Sequence, residues 1–195
     1  MARLVDPNKI EDIKVALMEL VGDFGINAVS IKMLAEKASV STGYLYRHYS
    51  GKDEMVMEIG NEWLDEFNTK VALATEKGDT IESFVVELTK WMLTMAKGDY
   101  VSAKFMVRLF VETLFDHEDR KYFCNKREKE LAMIRFFERS NNEILHPDLD
   151  FEECFHIMVL IMMNFLLTKF DNNKKIDIEK ETEIISNICL NAIRK

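Results

Sequence analysis

Between Ser41 and Lys52 the chain reads STGYLYRHYSGK, and these residue types share one chemistry. Two hydroxyls (Ser41, Thr42), two phenols (Tyr44, Tyr46), a guanidinium (Arg47), an imidazole (His48) and an ammonium (Lys52) all donate hydrogen bonds, and no acid interrupts them. Gly43 has no side chain, so a bulky group can come close to the backbone there. Ser41 at a helix start caps one of the unpaired first-turn amides, and the free amides of a helix start attract anions. Donors gathered this way suit phosphate, while an Arg fork reads guanine through two hydrogen bonds. This is the chemistry of a recognition helix entering a DNA major groove. Thr42, Tyr44 and Arg47 are the candidates for base edges. Ser30, Ser41, Gly43, Tyr46, His48 and Lys52 are the candidates for phosphates.

A second chemistry is written further along. Glu143/His146 and Glu153/His156 are two Glu-x-x-His pairs. That spacing puts both side chains on one helical face, as di-iron carboxylate bundles require. Against it, His146 adjoins Pro147, a loop separates the pairs, and two more carboxylates are needed from other helices. It remains as the alternative reading: a helical ligand- or metal-binding protein, or a bundle enzyme, in which the first motif is incidental. No glycine-rich nucleotide loop, His-Glu-x-x-His or nucleophile elbow is present. No catalytic residue, metal ligand or cofactor is therefore assigned, and the chain is not read as an enzyme. Cys124, Cys154 and Cys189 are far apart and form no Cys-x-x-Cys. They read as buried thiols of a reducing compartment, with Cys154 beside His156 as the only hint of a thiol sensor.

The elements that must position the donors follow from spacing. Ser30 is the N-cap of a short helix whose buried face is Ile31, Leu34, Ala35 and Ala38. Ala38-Ser39-Val40 is a tight turn, and Leu45 anchors the second short helix to the core. Upstream, Asp6-Pro7 starts a helix with an apolar stripe of Ile10, Ile13, Leu17, Leu20, Val21 and Phe24, stopped at Gly25. Downstream, Ser50 to Glu54 starts a long helix with Val56, Ile59, Trp63 and Phe67 at helical spacing.

These residues also carry a family resemblance. Phe24-Gly25, Val29-Ser30-Ile31, Leu34-Ala35, Ala38-Ser39-Val40-Ser41, Gly43, Leu45-Tyr46, His48-Tyr49 and Lys52-Asp53-Glu54 resemble the N-terminal helix-turn-helix of the tetracycline-repressor (TetR) family. The likeness covers about the first third of the chain. Ser39 stands where the family usually has Gly, Ile31 where it often has Thr, and Arg47 where a second Tyr is frequent. The resemblance implies a repressor that leaves its operator when a small molecule binds, with a helix joining head to body that moves on binding. It also implies dimerisation through the last two long helices.

Composition sets the remaining bounds. The chain has 195 residues, 48% of them apolar, with two prolines and seven glycines. An all-α fold follows. The resemblance implies its division into an N-terminal three-helix DNA-binding domain (1–52), a joining helix (53–71) and a helical ligand-binding and dimerisation domain (72–195). The net charge is −8, but Ile26 to Lys52 holds Lys32, Lys37, Arg47 and Lys52 against Glu36 alone, a local +3. An acidic body with a small basic tip suits a protein that touches a double-stranded DNA operator only there. Breaks at Gly78-Asp79-Thr80, Gly98-Asp99, His146-Pro147 and Asp171-Asn172-Asn173 divide the body into about five helices. With twelve Met and thirteen Phe in the chain, the body can line an adaptable apolar cavity. The resemblance implies that a small-molecule inducer, apolar or aromatic, sits there. Its candidate lining is Trp91, Met92 and Met95, then Phe105, Met106 and Phe110, then Met133, Phe137 and Met162. The helix after Asp150 is apolar nearly all round and is expected to be covered on every side, by a second copy in a homodimer. Its most apolar run, Ile157 to Leu167, is short for a bilayer span, and no signal-peptide pattern precedes the first helix. No membrane association and a cytoplasmic location are expected.

Overall fold

The computed structural model describes residues 7–77, 80–114, 136, 145–172 and 175–195. Among these it forms eight helices: α1 (Pro7–Phe24), α2 (Ile31–Lys37), α3 (Thr42–His48), α4 (Lys52–Lys77), α5 (Ile81–Gly98), α6 (Tyr100–Leu114), α7 (Phe151–Asp171) and α8 (Ile178–Ile193). The fold is all-α as composition implied. The chain divides into two compact units. The head contains α1 to α3, α4 as far as Leu64, and α6 from Val101. The body contains α4 from Asp65, together with α5, α7 and α8. The sequence reading placed everything after residue 72 in the body, whereas α6 packs into the head.

The head has one core. The α1 stripe (Ile13, Leu17, Leu20, Val21) meets Leu34 of α2, Leu45 of α3, Val56 and Ile59 of α4, and Phe105, Met106 and Leu109 of α6. Leu17, Leu34, Leu45 and Phe105 have no exposed surface, and burying such side chains contributes about 1.5–3 kcal/mol each. This corrects the expected cavity: Phe105 and Met106 are buried because they complete the head core.

Polar clasps fix the helices around that core. Lys14 Nζ lies 2.9 Å from Glu58 and 2.7 Å from Glu62, joining α1 to α4. Burial alone would lower the Lys14 pKa, but the hydrogen bonds to Glu62 and Glu58 outweigh it and hold it above the ordinary value. A raised lysine pKa adds stability that is intact at neutral pH and lost only in strong alkali. Lys104 of α6 pairs with Asp23 of α1 at 2.7 Å. Gly22 makes room for it, since a Cβ there would lie 3.3 Å from the Lys104 stem. Both backbone groups of Ile26 are also held. Its amide donates to the Glu112 carboxylate at 2.8 Å, and its carbonyl accepts from Lys52 Nζ at 2.6 Å.

In the body, each helix start carries its own cap. The Thr80 hydroxyl accepts the Ser83 amide at 3.2 Å. Asp150 and Glu153 cap each other's amides at 2.8 Å, and Asp177 accepts from the Lys180 amide at 3.3 Å. The helix α8 packs against both α5 and α7. Lys169 pairs with the buried Glu181, and Arg194 pairs with Glu82. The single chain covers α7 on one side only. Glu153, His156, Leu160, Asn164 and Thr168 form an exposed stripe at three- and four-residue spacing, polar but for Leu160, while Cys154, Met158, Met162 and Leu166 are buried. By length and composition alone, Glu153–Asp171 would reach across a membrane, longer than the run read from sequence. The amphipathic stripe and the packing on α8 are those of a core helix.

Two outcomes follow from these contacts. Gly25 has φ +84°, and a Cβ there would lie 2.3 Å from Glu112 Oε1. Gly25→Ala should therefore cost at least about 1–2 kcal/mol in denaturant unfolding, through left-handed strain plus that clash. Combining it with Glu112→Ala should cost less than the sum of the two single changes, because the clash is gone. Cys154 and Cys189 are buried, and burial pushes the Cys189 thiol up to about 12 and also raises Cys154. In a Cys124→Ser variant, a thiol reagent at pH 8 should find both thiols only after denaturation.

Candidate nucleic-acid interface

Helix α3 is only seven residues long, so its ends must be held from outside. At its start the Ser41 hydroxyl accepts the Tyr44 amide at 3.1 Å. One helix earlier Ser30 does the same for Met33 at 3.2 Å. Both hydroxyl oxygens are thus used as caps, while their O–H groups remain free to donate to a phosphate. Leu45, fully buried, and Tyr49, at 8% exposure, nail the helix to the head core. That orientation leaves Thr42, Gly43, Tyr46 and Arg47 exposed, with Tyr44, His48 and Lys52 half-buried.

Three of the predicted residues behave differently from expectation. The Tyr44 hydroxyl is buried and has no hydrogen-bond partner. It is turned away from solvent, so its assignment to a base edge is withdrawn. Lys52 is half-buried and tied to the Ile26 carbonyl, so its ammonium is a structural clasp before it is a phosphate contact. The His48 ring leans on the Tyr44 ring, centroid to centroid 4.7 Å. Of the other cations in the basic stretch, Lys37 pairs with Glu19 at 2.6 Å and Lys32 stands 4.0 Å from Glu36. Among the described residues, Arg47 has no carboxylate partner; its guanidinium lies 5.2 Å from the Tyr44 ring centroid. A residue that sequence reasoning passed over, Lys9 of α1, has its ammonium 5.7 Å from the same ring. No local pattern around Lys9 signals this, because the contact joins α1 to α3.

Residues 13–59, the segment with this capped pair of helices, match the family model of bacterial regulatory proteins, tetR family. Over that segment the chain carries the DNA-binding region that this family shares. Solved structures share the fold over nearly the whole chain. The fatty acid degradation regulator FadR from Bacillus halodurans is 14% identical, with a TM-score of 0.68 over 96% of this chain and 97% of its own. The ketosteroid transcriptional regulator KstR2 of Mycobacterium tuberculosis is 14% identical, with a TM-score of 0.63 over 98% and 97%. SmeT, the repressor of the Stenotrophomonas maltophilia multidrug efflux pump SmeDEF, is 17% identical, with a TM-score of 0.63 over 95% and 90%. No curated protein matches the chain in sequence.

The candidate ligand residues were expected in the body, and the structure separates them. Met92 and Met162 are buried there, and Trp91 and Met95 are half-buried. Trp91 lies 5.9 Å from Phe67, which lies 6.3 Å from Phe155, ring to ring. Phe67 and Phe155 were not among the expected lining residues. Phe105, Met106 and Phe110 fall in the head unit, and Met133 and Phe137 lie outside the described residues. The alternative metal reading loses one ligand, since the Glu153 carboxylate is engaged in the α7 cap. His156 is exposed, and Glu143 lies outside the described residues.

Ser39 bears on the turn that aims α3. It has φ 54°, and it is the only left-handed non-glycine among the described residues. The family's usual Gly at this point is free of that strain. Ser39→Gly should raise unfolding stability by about 0.5–1 kcal/mol, the strain relieved less the chain entropy added. A calorimetric melt of the two proteins checks the sign.

Proposed function

We propose that this regulator is a homodimeric, cytoplasmic repressor that a small apolar or aromatic molecule releases from a palindromic operator. The observation that carries the reading is the exposed Arg47 on a capped, core-anchored α3, with donors on either side. Thr42 and Arg47 read base edges. Ser30, Ser41, Gly43, Tyr46 and His48 hold phosphates, and Lys52 joins them only with the donors left after Ile26. The chain acts by binding and not by catalysis.

Two features of the body support the rest. Ile184 and Ile188 are exposed at 43% and 49% on α8. They lie one turn apart, and Leu160 is the exposed apolar residue of α7. A second copy packed there would cover them and pair two heads; heads that read successive major grooves stand about 34–36 Å apart, one helical turn of DNA. The Phe67–Trp91–Phe155 aromatic group, with Met92, Met95 and Met162, supplies adaptable apolar lining for an inducer. The names of FadR and KstR2 refer to a fatty acid and a ketosteroid, both largely apolar molecules. An inducer acts by binding more tightly to the dimer whose heads cannot span both half-sites, which lowers the population that can.

Selection from a library of random duplexes tests the reading. Purified protein should enrich a palindrome, with affinity that falls steeply with salt. Arg47→Ala should relax preference at one base pair of each half-site, a loss of about 1–3 kcal/mol of discrimination. Folded, ligand-free protein that enriches nothing would overturn it.

A further inference from the structure

The Tyr44 ring gathers two cations from two helices, and its own polar atom is unused. Arg47 lies 5.2 Å from its centroid and Lys9 5.7 Å, both within the range in which a cation is attracted to an aromatic face. The two come from different helices, Lys9 from α1 and Arg47 from α3. Both are exposed, and among the described residues neither has a carboxylate partner. Two like charges so placed repel, and the ring they share is what the structure offers in return. Meanwhile the Tyr44 hydroxyl is buried without a partner, which is unfavourable for a phenol and irrelevant to a ring. The ring itself packs against the head core, so its position is fixed while the cations it carries face outward.

We propose that Tyr44 is a positioning residue: its ring holds the Arg47 guanidinium in reading pose and brings Lys9 to the same side as an additional phosphate contact. This rests on the operator reading given above for Arg47. Arg has many rotamers, and a fork that must present two donors to one base gains from being held before it arrives. Lys9 extends the contact from α3 to the first turn of α1, where Asn8 and Pro7 have no charge to offer.

The test is the duplex selection repeated with Tyr44→Phe, Tyr44→Leu and Lys9→Ala, each shown folded by its melt. Tyr44→Phe keeps the ring and drops the orphan hydroxyl. It should keep the wild-type site and melt no lower. Tyr44→Leu keeps the apolar packing without the aromatic face. It should weaken discrimination about two- to fivefold at the base pair that Arg47→Ala relaxes, and nowhere else. Lys9→Ala should reduce the salt slope of DNA affinity by about one and leave base preference alone. If Tyr44→Leu keeps full discrimination, or Tyr44→Phe loses it, the ring is not the platform. An unchanged salt slope in Lys9→Ala removes Lys9 from the contact. If wild type enriches no site, the operator reading falls and the platform with it, so the two failures are told apart.

Discussion

The head depends on how one residue's backbone is held. The Ile26 amide is bound by Glu112 from α6, and its carbonyl by Lys52 from the start of α4. A buried amide or carbonyl left without a partner costs about 1–3 kcal/mol, so the two side chains are not interchangeable with apolar ones. The consequence is geometric. The turn from α1 to α2 is pinned to two helices distant in sequence, and α2 in turn sets α3. Gly25 is required by the same arrangement, because the chain turns left-handed there and the Glu112 carboxylate occupies the space of a Cβ. Four helices are thereby fixed around one residue, and α3 inherits its aim from them.

Charge is arranged to leave little to spare at the tip. The basic stretch carries a local excess, yet Lys37 is paired with Glu19 and Lys52 is spent on a carbonyl. Lys14, upstream, is clasped by two glutamates. These pairs stabilise the packing of α1 on α2 and α4 rather than the approach to DNA. Exposed pairs of this kind contribute about 0–1 kcal/mol; the half-buried Lys14 clasp, with a shared ammonium, is the firmest among them.

The sequence was most legible where a local rule decides. Ser30, Ser41 and Asp150 are caps in the structure as their types and positions imply. Leu45 is the buried anchor of α3, and the break at Gly98-Asp99 ends α5. Legibility failed where a residue's role depends on what arrives from far along the chain. Phe105 and Met106 have an apolar period that says they are buried, but not that α1 is what buries them. The Glu112 clasp joins residues 86 apart, which no window detects. Lys52 fitted a phosphate by type, and only the fold shows the carbonyl that has claimed it. On α7, overall apolarity hid the polar stripe of Glu153, His156, Asn164 and Thr168. Tyr44 is the subtler case. On so short a helix it adjoins the buried Leu45 and lies one turn from His48, so a residue of recognition type is drawn inward by its neighbour.

Two local inconsistencies lie at the α2–α3 end of the head. Ser39 sits left-handed in the turn, and Tyr44 buries an unpartnered hydroxyl, while the caps and core nearby obey every local rule. Local strain of this kind is compatible with a functional surface. The charge balance explains why such precision is useful. Affinity for DNA without regard to sequence comes from cations that neutralise phosphates, and most of the head's cations are already paired. The chain as a whole carries a net −8, which opposes approach except at the tips. A protein built this way gains little from non-specific sites. On the function proposed above, preference for an operator then falls mainly on base readout, and so on how well the Arg47 fork is held.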